Sequence, residues 1–371
     1  MTEEQETADA SAGRHESTQP AREAGRRHEA PEPVPGFRAE LRDAIAPRTV
    51  ALVIGVLLLQ LGFVLSYVGA FHRPTPRDVA VQVVAPGATA GQTVAGLNGI
   101  AGSPLSASPG TSEAAATTAL RSGDTSGVLV VDPNGTQDRL LVASAGGTGL
   151  ADAVQAVVGR AEQAQGRTVA VSDVVPLQTG DGRGLTGFYL VVGWLVGGYL
   201  MASIIGVAKG ARPLNRRRAV IRLGSVVPYA VVSGVGGAVI VGPVLGALDG
   251  AFWPLAGIGA LLVAAAAAVT MAFQSLVGVI GIGLTVLVFV VLGNPSAGGA
   301  YQWPLLPPFW RAIGPVLPNG AGVDAVRRAV YFGSHAVTGP LLVTSAWLVG
   351  GVLVTLLAIL VRERRDVALP A

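Results

Sequence analysis

Residues 252–292 run FWPLAGIGALLVAAAAAVTMAFQSLVGVIGIGLTVLVFVVL and contain no Asp, Glu, Lys, Arg or His. A helix rises about 1.5 Å per residue and the hydrocarbon core of a bilayer is about 30 Å thick. The stretch is therefore long enough for two crossings rather than one, and the sequence predicts a tight reversal near Phe273-Gln274-Ser275. Outward from it the pattern persists: between residues 224 and 293 the only such ionisable residue is Asp249. A bilayer interior tolerates few charges, so this segregation predicts a membrane protein.

The composition of the 371 residues agrees, with half of them hydrophobic, 13% charged and a mean hydropathy of +0.54. The net charge of +3 comes from arginines beside predicted membrane edges, which reads as anchoring rather than nucleic-acid binding. No cysteine is present, which excludes disulfides, thiolate metal sites and cysteine nucleophiles. The histidines, His15, His28, His72 and His335, form no metal-spaced motif, and no paired acids lie within a span. Neither an enzyme nor a bound cofactor is expected. Ion-driven transport needs intramembrane carboxylates, and only Asp249, at a turn, is offered. The sole lysine, Lys209, does not sit in a phosphate-binding loop, so energy for uphill movement would come from another chain.

The expected class is an α-helical polytopic membrane protein of about six transmembrane helices, with an α/β extracytoplasmic domain between the first two. Residues 1–35 lack large apolar side chains and are expected to form a disordered cytoplasmic tail. Residues 36–70 hold an amphipathic segment (Phe37, Leu41, Ala44 and Ile45 beside Arg38, Arg42 and Asp43) and a first span over 49–70. That span is expected to be retained rather than removed as a signal peptide.

Residues 71–184 show short alternating elements. Strands are predicted over 79–84, 127–131, 139–143 and 168–175, and helices over 92–97, 112–121 and 149–165. A turn is predicted at Asp132-Pro133-Asn134-Gly135 and a mobile loop over 102–110. Further spans are predicted over 185–208, 225–248, 252–272, 275–293 and 340–361, with an outside loop over 294–339 and a short tail over 362–371. The cluster Lys209, Arg212, Arg216, Arg217, Arg218 and Arg222 lies in a short loop, which places it in the cytoplasm together with both termini. Arg311, Arg327 and Arg328 in the outside loop run against that rule.

Glycines recur in the spans as Gly193 and Gly197, Gly234 and Gly237, Gly242 and Gly246, and Gly278 and Gly281, a spacing that suits close helix packing. The 294–339 loop is rich in Pro and aromatic residues. Asn294, Pro295, Gly298, Gly299, Pro307, Trp310, Pro318 and Arg327 are expected to build an interfacial cap, with a gate over an opening between helices as the sharper alternative. Residues 325–332 are expected to form a helix lying at the membrane interface.

The series Asn294-Pro295-Ser296, Gly298-Gly299, Pro307, Phe309-Trp310, Leu317-Pro318, Arg327 and Tyr331-Phe332, together with one N-terminal span and a large outside domain, resembles the YhgE/Pip (phage infection protein) group of the type-2 ATP-binding-cassette permease superfamily. The resemblance implies an exporter-like subunit working as a homodimer or heterodimer. It also implies a separate cytoplasmic ATPase docked against Lys209, Arg212, Arg216, Arg217, Arg218 and Arg222, and residues 37–45 as an elbow helix. The outside domain is shorter than in larger members and lacks their coiled coil. The competing expectation is a non-transporting envelope scaffold or receptor whose outside domain binds a partner.

Overall fold

A computed structural model describes residues 36, 37 and 46–368. The expected tail over 1–35 and the elbow segment beyond Phe37 lie outside the described residues, as do residues 369–371. Residues 46–53 belong to a first compact unit and open a helix, with the Val50 amide donating to Ala46 O at 3.0 Å. That helix, α1, spans Pro47–Phe71, and everything from Ile54 onward forms the second unit.

After α1 the chain alternates β1 (Val79–Val84), α2 (Ala88–Asn98), β2 (Leu105–Pro109), α3 (Glu113–Ser122), β3 (Gly127–Val130), β4 (Gln137–Val142), α4 (Thr148–Ala164) and β5 (Thr168–Asp173). In β1 (VAVQVV) the alternate residues Val79, Val81 and Val83 share one face and are fully buried, while Val84 turns to the other. The strand order is β2-β1-β3-β4-β5, parallel except for the β3–β4 hairpin. One face packs Val79, Val81, Val83, Leu129 and Leu140 against Leu97 of α2 and Leu150, Val154 and Val158 of α4. The other packs Val128 and Leu141 against Ala116 and Leu120 of α3. Ser112 caps α3 by accepting from the Ala115 amide at 3.1 Å, and Gly123 closes it at φ +77°.

β2 corrects the expected loop over 102–110. Its sequence, LSASP, looks like a loop, yet Leu105 and Ala107 are buried and it pairs with β1 in register Val79↔Leu105. It is an edge strand, where a proline and hydroxyl side chains are tolerated.

The second half is helical: α5 (Thr186–Lys209), α6 (Arg216–Val244, ending in a π turn over Ile240–Val244), α7 (Phe252–Val277), α8 (Ile280–Ser296), α9 (Pro308–Ile313), α10 (Pro318–Tyr331) and α11 (Thr338–Ala368). Among the described residues five helices, α1, α5, α6, α7 and α11, are long and apolar enough to cross a membrane, and α8 is a shorter apolar helix. These mark a membrane protein.

α7 is the axle of the bundle. In its most apolar window 78% of residues are buried, against 6% for α1. Four helices reach its backbone through a glycine. A Cβ on Gly198 of α5 would stand 2.5 Å from Val263 O, and one on Gly234 of α6 would stand 2.3 Å from Ala256 O. The corresponding distances are 2.4 Å to the Phe273 carbonyl carbon for Gly281 of α8 and 2.7 Å to the Ala268 carbonyl carbon for Gly351 of α11. α7 presents five consecutive alanines, residues 264–268, so small side chains meet small side chains as in close membrane-helix packing. Of the predicted small-residue pairs, Gly234 and Gly237 make such approaches, the latter against the Trp194 indole, whereas Gly193 has nothing within 4 Å.

Three expectations change here. The reversal falls at Gly278, at φ +71°, and not at Phe273-Gln274-Ser275. Gln274 and Ser275 instead lie buried in the last turns of α7, with Gln274 against Gly206 of α5. Arg216, Arg217, Arg218 and Arg222 are not loop residues but form the opening turns of α6. α10 packs into the bundle rather than on its surface: Pro318 through Val323, Ala325 and Val326 are all buried, and Val323, Ala325 and Val326 join the core that includes Trp194, Leu255 and Leu262. α11 also continues past 361, carrying Arg362 and Glu363 on the helix.

Candidate functional site

The bundle has two chemically different ends. α5 begins beside the α/β domain, where the Thr186 amide donates to Asp181 Oδ1 at 2.9 Å. Its 24 residues carry it about 36 Å away, to Lys209. Lys209, Arg212, Arg216, Arg217, Arg218 and Arg222 collect at this remote end.

Two of these arginines complete helix ends. Arg222 donates to Lys209 O at 2.7 Å and Gly210 O at 2.9 Å, satisfying the last carbonyls of α5. Arg212 donates to Leu276 O at 3.0 Å, and Arg362 to Ser275 O at 2.8 Å, doing the same for α7. Arg216 pairs with Glu363 of α11 at 2.5 Å, and Asn215 caps α6 by accepting from the Arg218 amide at 2.9 Å. Lys209, Arg217 and Arg218 are exposed, and among the described residues their side chains have no ion-pair or hydrogen-bond partner. Between them Leu214 stands 75% exposed at the loop tip. The predicted six-residue cluster thus divides into two capping arginines, one ion-paired arginine and a three-cation surface around one leucine.

At the other end, residues 294–337 close the bundle and support the α/β domain. α8 widens into a π form over Leu287–Gly293, and Asn319 Nδ2 at the start of α10 donates to Phe289 O at 2.9 Å and Asn294 Oδ1 at 2.8 Å. Pro295 lies buried in the last turn of α8, and Pro318 opens α10, where a missing N–H costs nothing. Gly298 (φ +74°) turns the chain so that its carbonyl accepts from Arg327 Nη2 at 2.9 Å, while Gly299 leaves room for the Phe188 ring. Pro307 precedes α9, and Trp310 stacks edge-on with exposed Phe309, ring centroids 5.0 Å apart. Replacing Asn319 by leucine is expected to cost about 1–3 kcal/mol, read as a lower melting temperature, because the Phe289 carbonyl would be left buried without its donor.

The same segment holds the α/β domain. Thr75 and Arg77 amides donate to Leu305 O at 3.2 Å and Pro304 O at 2.9 Å, and the Leu305 side chain joins the domain core. Arg311 pairs with Asp78 at 3.0 Å, and His335 meets Asp124 at 3.2 Å. Tyr331 donates to Asp181 Oδ2 at 2.6 Å; burial first, then this bond, raises its phenol pKa. Arg327 is pulled below the usual arginine value by burial. The arginines that offended the charge rule therefore have local partners: Arg311 with Asp78, Arg328 with Asp324 at 2.9 Å and Arg327 with Gly298 O. Asn319 and Asp181 escaped prediction because Phe289, Asn294 and Tyr331, which they meet, lie 25 to 150 residues away in sequence, and Gln302 carried no local signal of its burial.

No group of His, Cys, Asp or Glu among the described residues could hold a metal. Fold and ends together define a class, a mostly helical membrane protein bearing a five-stranded α/β domain. No family model, curated protein or solved structure matches the chain.

Proposed function

We propose that this chain is the membrane permease subunit of an exporter-like ATP-binding-cassette system, similar to the YhgE/Pip group, moving an amphipathic or envelope-associated substrate. The observation that carries the reading is the surface of Lys209, Arg217 and Arg218 around exposed Leu214. Cations and an apolar knob that have no partners among the described residues suit a docking protein, here a cytoplasmic ATPase. By the positive-inside rule this basic end faces the cytoplasm and the α/β domain faces outside.

Six crossings fit that orientation. α8 has 17 residues, about 25 Å, and runs from the basic end back to the domain end, so it serves as a crossing despite its length. With six crossings both termini lie in the cytoplasm on this reading. α1, 6% buried over its window, offers most of its apolar surface to lipid or to a second subunit, as a dimeric permease requires. A scaffold that only anchors an outside domain has no need of residues 294–337, which both enter the helical core through α10 and support the domain through Leu305. That shared segment gives motion in the bundle a path to the domain.

A photo-crosslinking residue at position 214 tests the reading. The expected product is a crosslink to a protein that binds ATP, with capture reduced at least tenfold by Arg217→Glu/Arg218→Glu. Arg216→Ala, which breaks only an exposed ion pair worth under about 1 kcal/mol, should leave capture intact. An intact, membrane-inserted protein that yields no ATP-binding product would favour the scaffold.

A further inference from the structure

Between residues 298–332 and the α/β domain lies a cavity of about 180 Å³. Its charged lining is Asp324, Arg327 and Arg328, a net positive charge of one. Asp324 is already paired with Arg328. Arg327 has no carboxylate within 4.0 Å among the described residues, and its side chain reaches only Gly298 O. Burial first lowers its pKa, with the nearby carboxylates of Asp324 and Asp181 acting against that shift. A desolvated guanidinium with most of its five donors free favours a bidentate oxyanion.

A second observation is independent of charge. Gln302 is 6% exposed and lines the same cavity, and its Oε1 has no hydrogen-bond partner. A buried acceptor without a donor is costly, so the site also suits a hydroxyl. Leu150 and Phe332 supply apolar wall, and Gly123 and Gly146 keep the space open. At about 30 Å³ per water the volume equals roughly six waters, room for about ten non-hydrogen atoms.

We propose that this cavity binds a small polyol phosphate of the glycerol phosphate type, its oxyanion held by Arg327 and Arg328 and a hydroxyl donating to Gln302. The same chemistry is presented by a free solute and by the headgroup of an anionic glycerophospholipid. The proposal does not depend on the transport reading, since it needs neither an ATPase nor a membrane orientation.

The test is calorimetric titration of the full chain in neutral phosphatidylcholine nanodiscs with sn-glycerol 3-phosphate. Saturable binding is expected, at least tenfold tighter than for inorganic phosphate or glycerol alone. Arg327→Lys, which keeps the charge but loses the fork, should weaken it about tenfold. Ser126→Phe, which fills the cavity from the β3 side, should abolish it. Repeating the titration in phosphatidylglycerol discs separates the sources: lost binding identifies the lipid headgroup as occupant, and unchanged binding identifies the free solute. No saturable binding in either disc, or equal binding in folded Ser126→Phe, overturns the proposal.

Discussion

Gly234→Ala is expected to destroy most of the folded protein, whereas Gly193→Ala, also in a membrane helix and also adding one methyl group, is expected to be tolerated. The new Cβ at 234 would lie 2.3 Å from Ala256 O and 2.6 Å from Ala260 N, both backbone atoms of the most buried helix. No rotamer change relieves such a clash. α6 must lift off α7, and overpacking of this kind costs about 1–3 kcal/mol, occasionally more. Position 193 has nothing within 4 Å, and alanine is a better helix former than glycine by about 1 kcal/mol. The measurement is the monodisperse fraction after mild detergent extraction, followed by a melting curve. Equal yields for the two variants would mean that α6 and α7 do not meet as closely as described.

The contrast between these glycines shows what the sequence could and could not convey. Small-residue spacing marked both, because it reports what a helix face would permit and not which neighbour arrives. The valine-rich alternation of β1 and the uncharged run through α7 and α8 were legible because burial there is written in side-chain type. β2 was not, since LSASP carries its pairing in backbone bonds to β1 and hides behind a serine-rich surface. α10 was hidden for a related reason. Its buried half, PNGAGV, is small rather than hydrophobic, and its burial comes from close approach, with Gly320 against Gly314 O and Gly322 against the Leu262 side chain. The basic cluster was visible as charge, but its division was not. Whether an arginine caps α5 or α7 depends on carbonyls up to 64 residues away, as for Arg212 and Leu276.

Arg167→Met is expected to cost about 3–5 kcal/mol, because it strands a buried carboxylate. Arg167 grips Asp138 at 2.5 and 2.7 Å and donates to Gly135 O and Asp132 O at 3.0 and 2.9 Å, so one guanidinium ties the start of β5 to the β3–β4 turn. Asp138 is fully buried and Glu162 is 2% exposed. By contrast Arg139→Met breaks an exposed pair with Glu113 and should cost under about 1 kcal/mol.

The two acids titrate in opposite directions. Burial first, and then Asp138, raise Glu162 from its usual 4.5 to about 7. Asp138 is lowered, its largest influence, burial, being outweighed by Arg167, the Asp132 amide and Glu162. An acid raised in the fold holds its proton more tightly there than in the unfolded chain. Glu162 therefore favours folding fully below its ordinary value, and that contribution is lost as pH rises through about 7. Asp138 adds stability above its ordinary value that is lost as pH falls through its depressed one. The α/β domain is consequently most stable near the ordinary carboxylate values and loses Glu162's contribution progressively between about pH 4.5 and 7. Glu162→Gln should flatten the fall in stability between about pH 4.5 and 7 and raise stability at pH 8 by roughly 3 kcal/mol, at about 1.4 kcal/mol per pKa unit. Melting curves of the detergent-solubilised chain from pH 5 to 8 measure both effects. A Glu162→Gln curve that keeps the wild-type slope would show that the shared proton does not reside on Glu162.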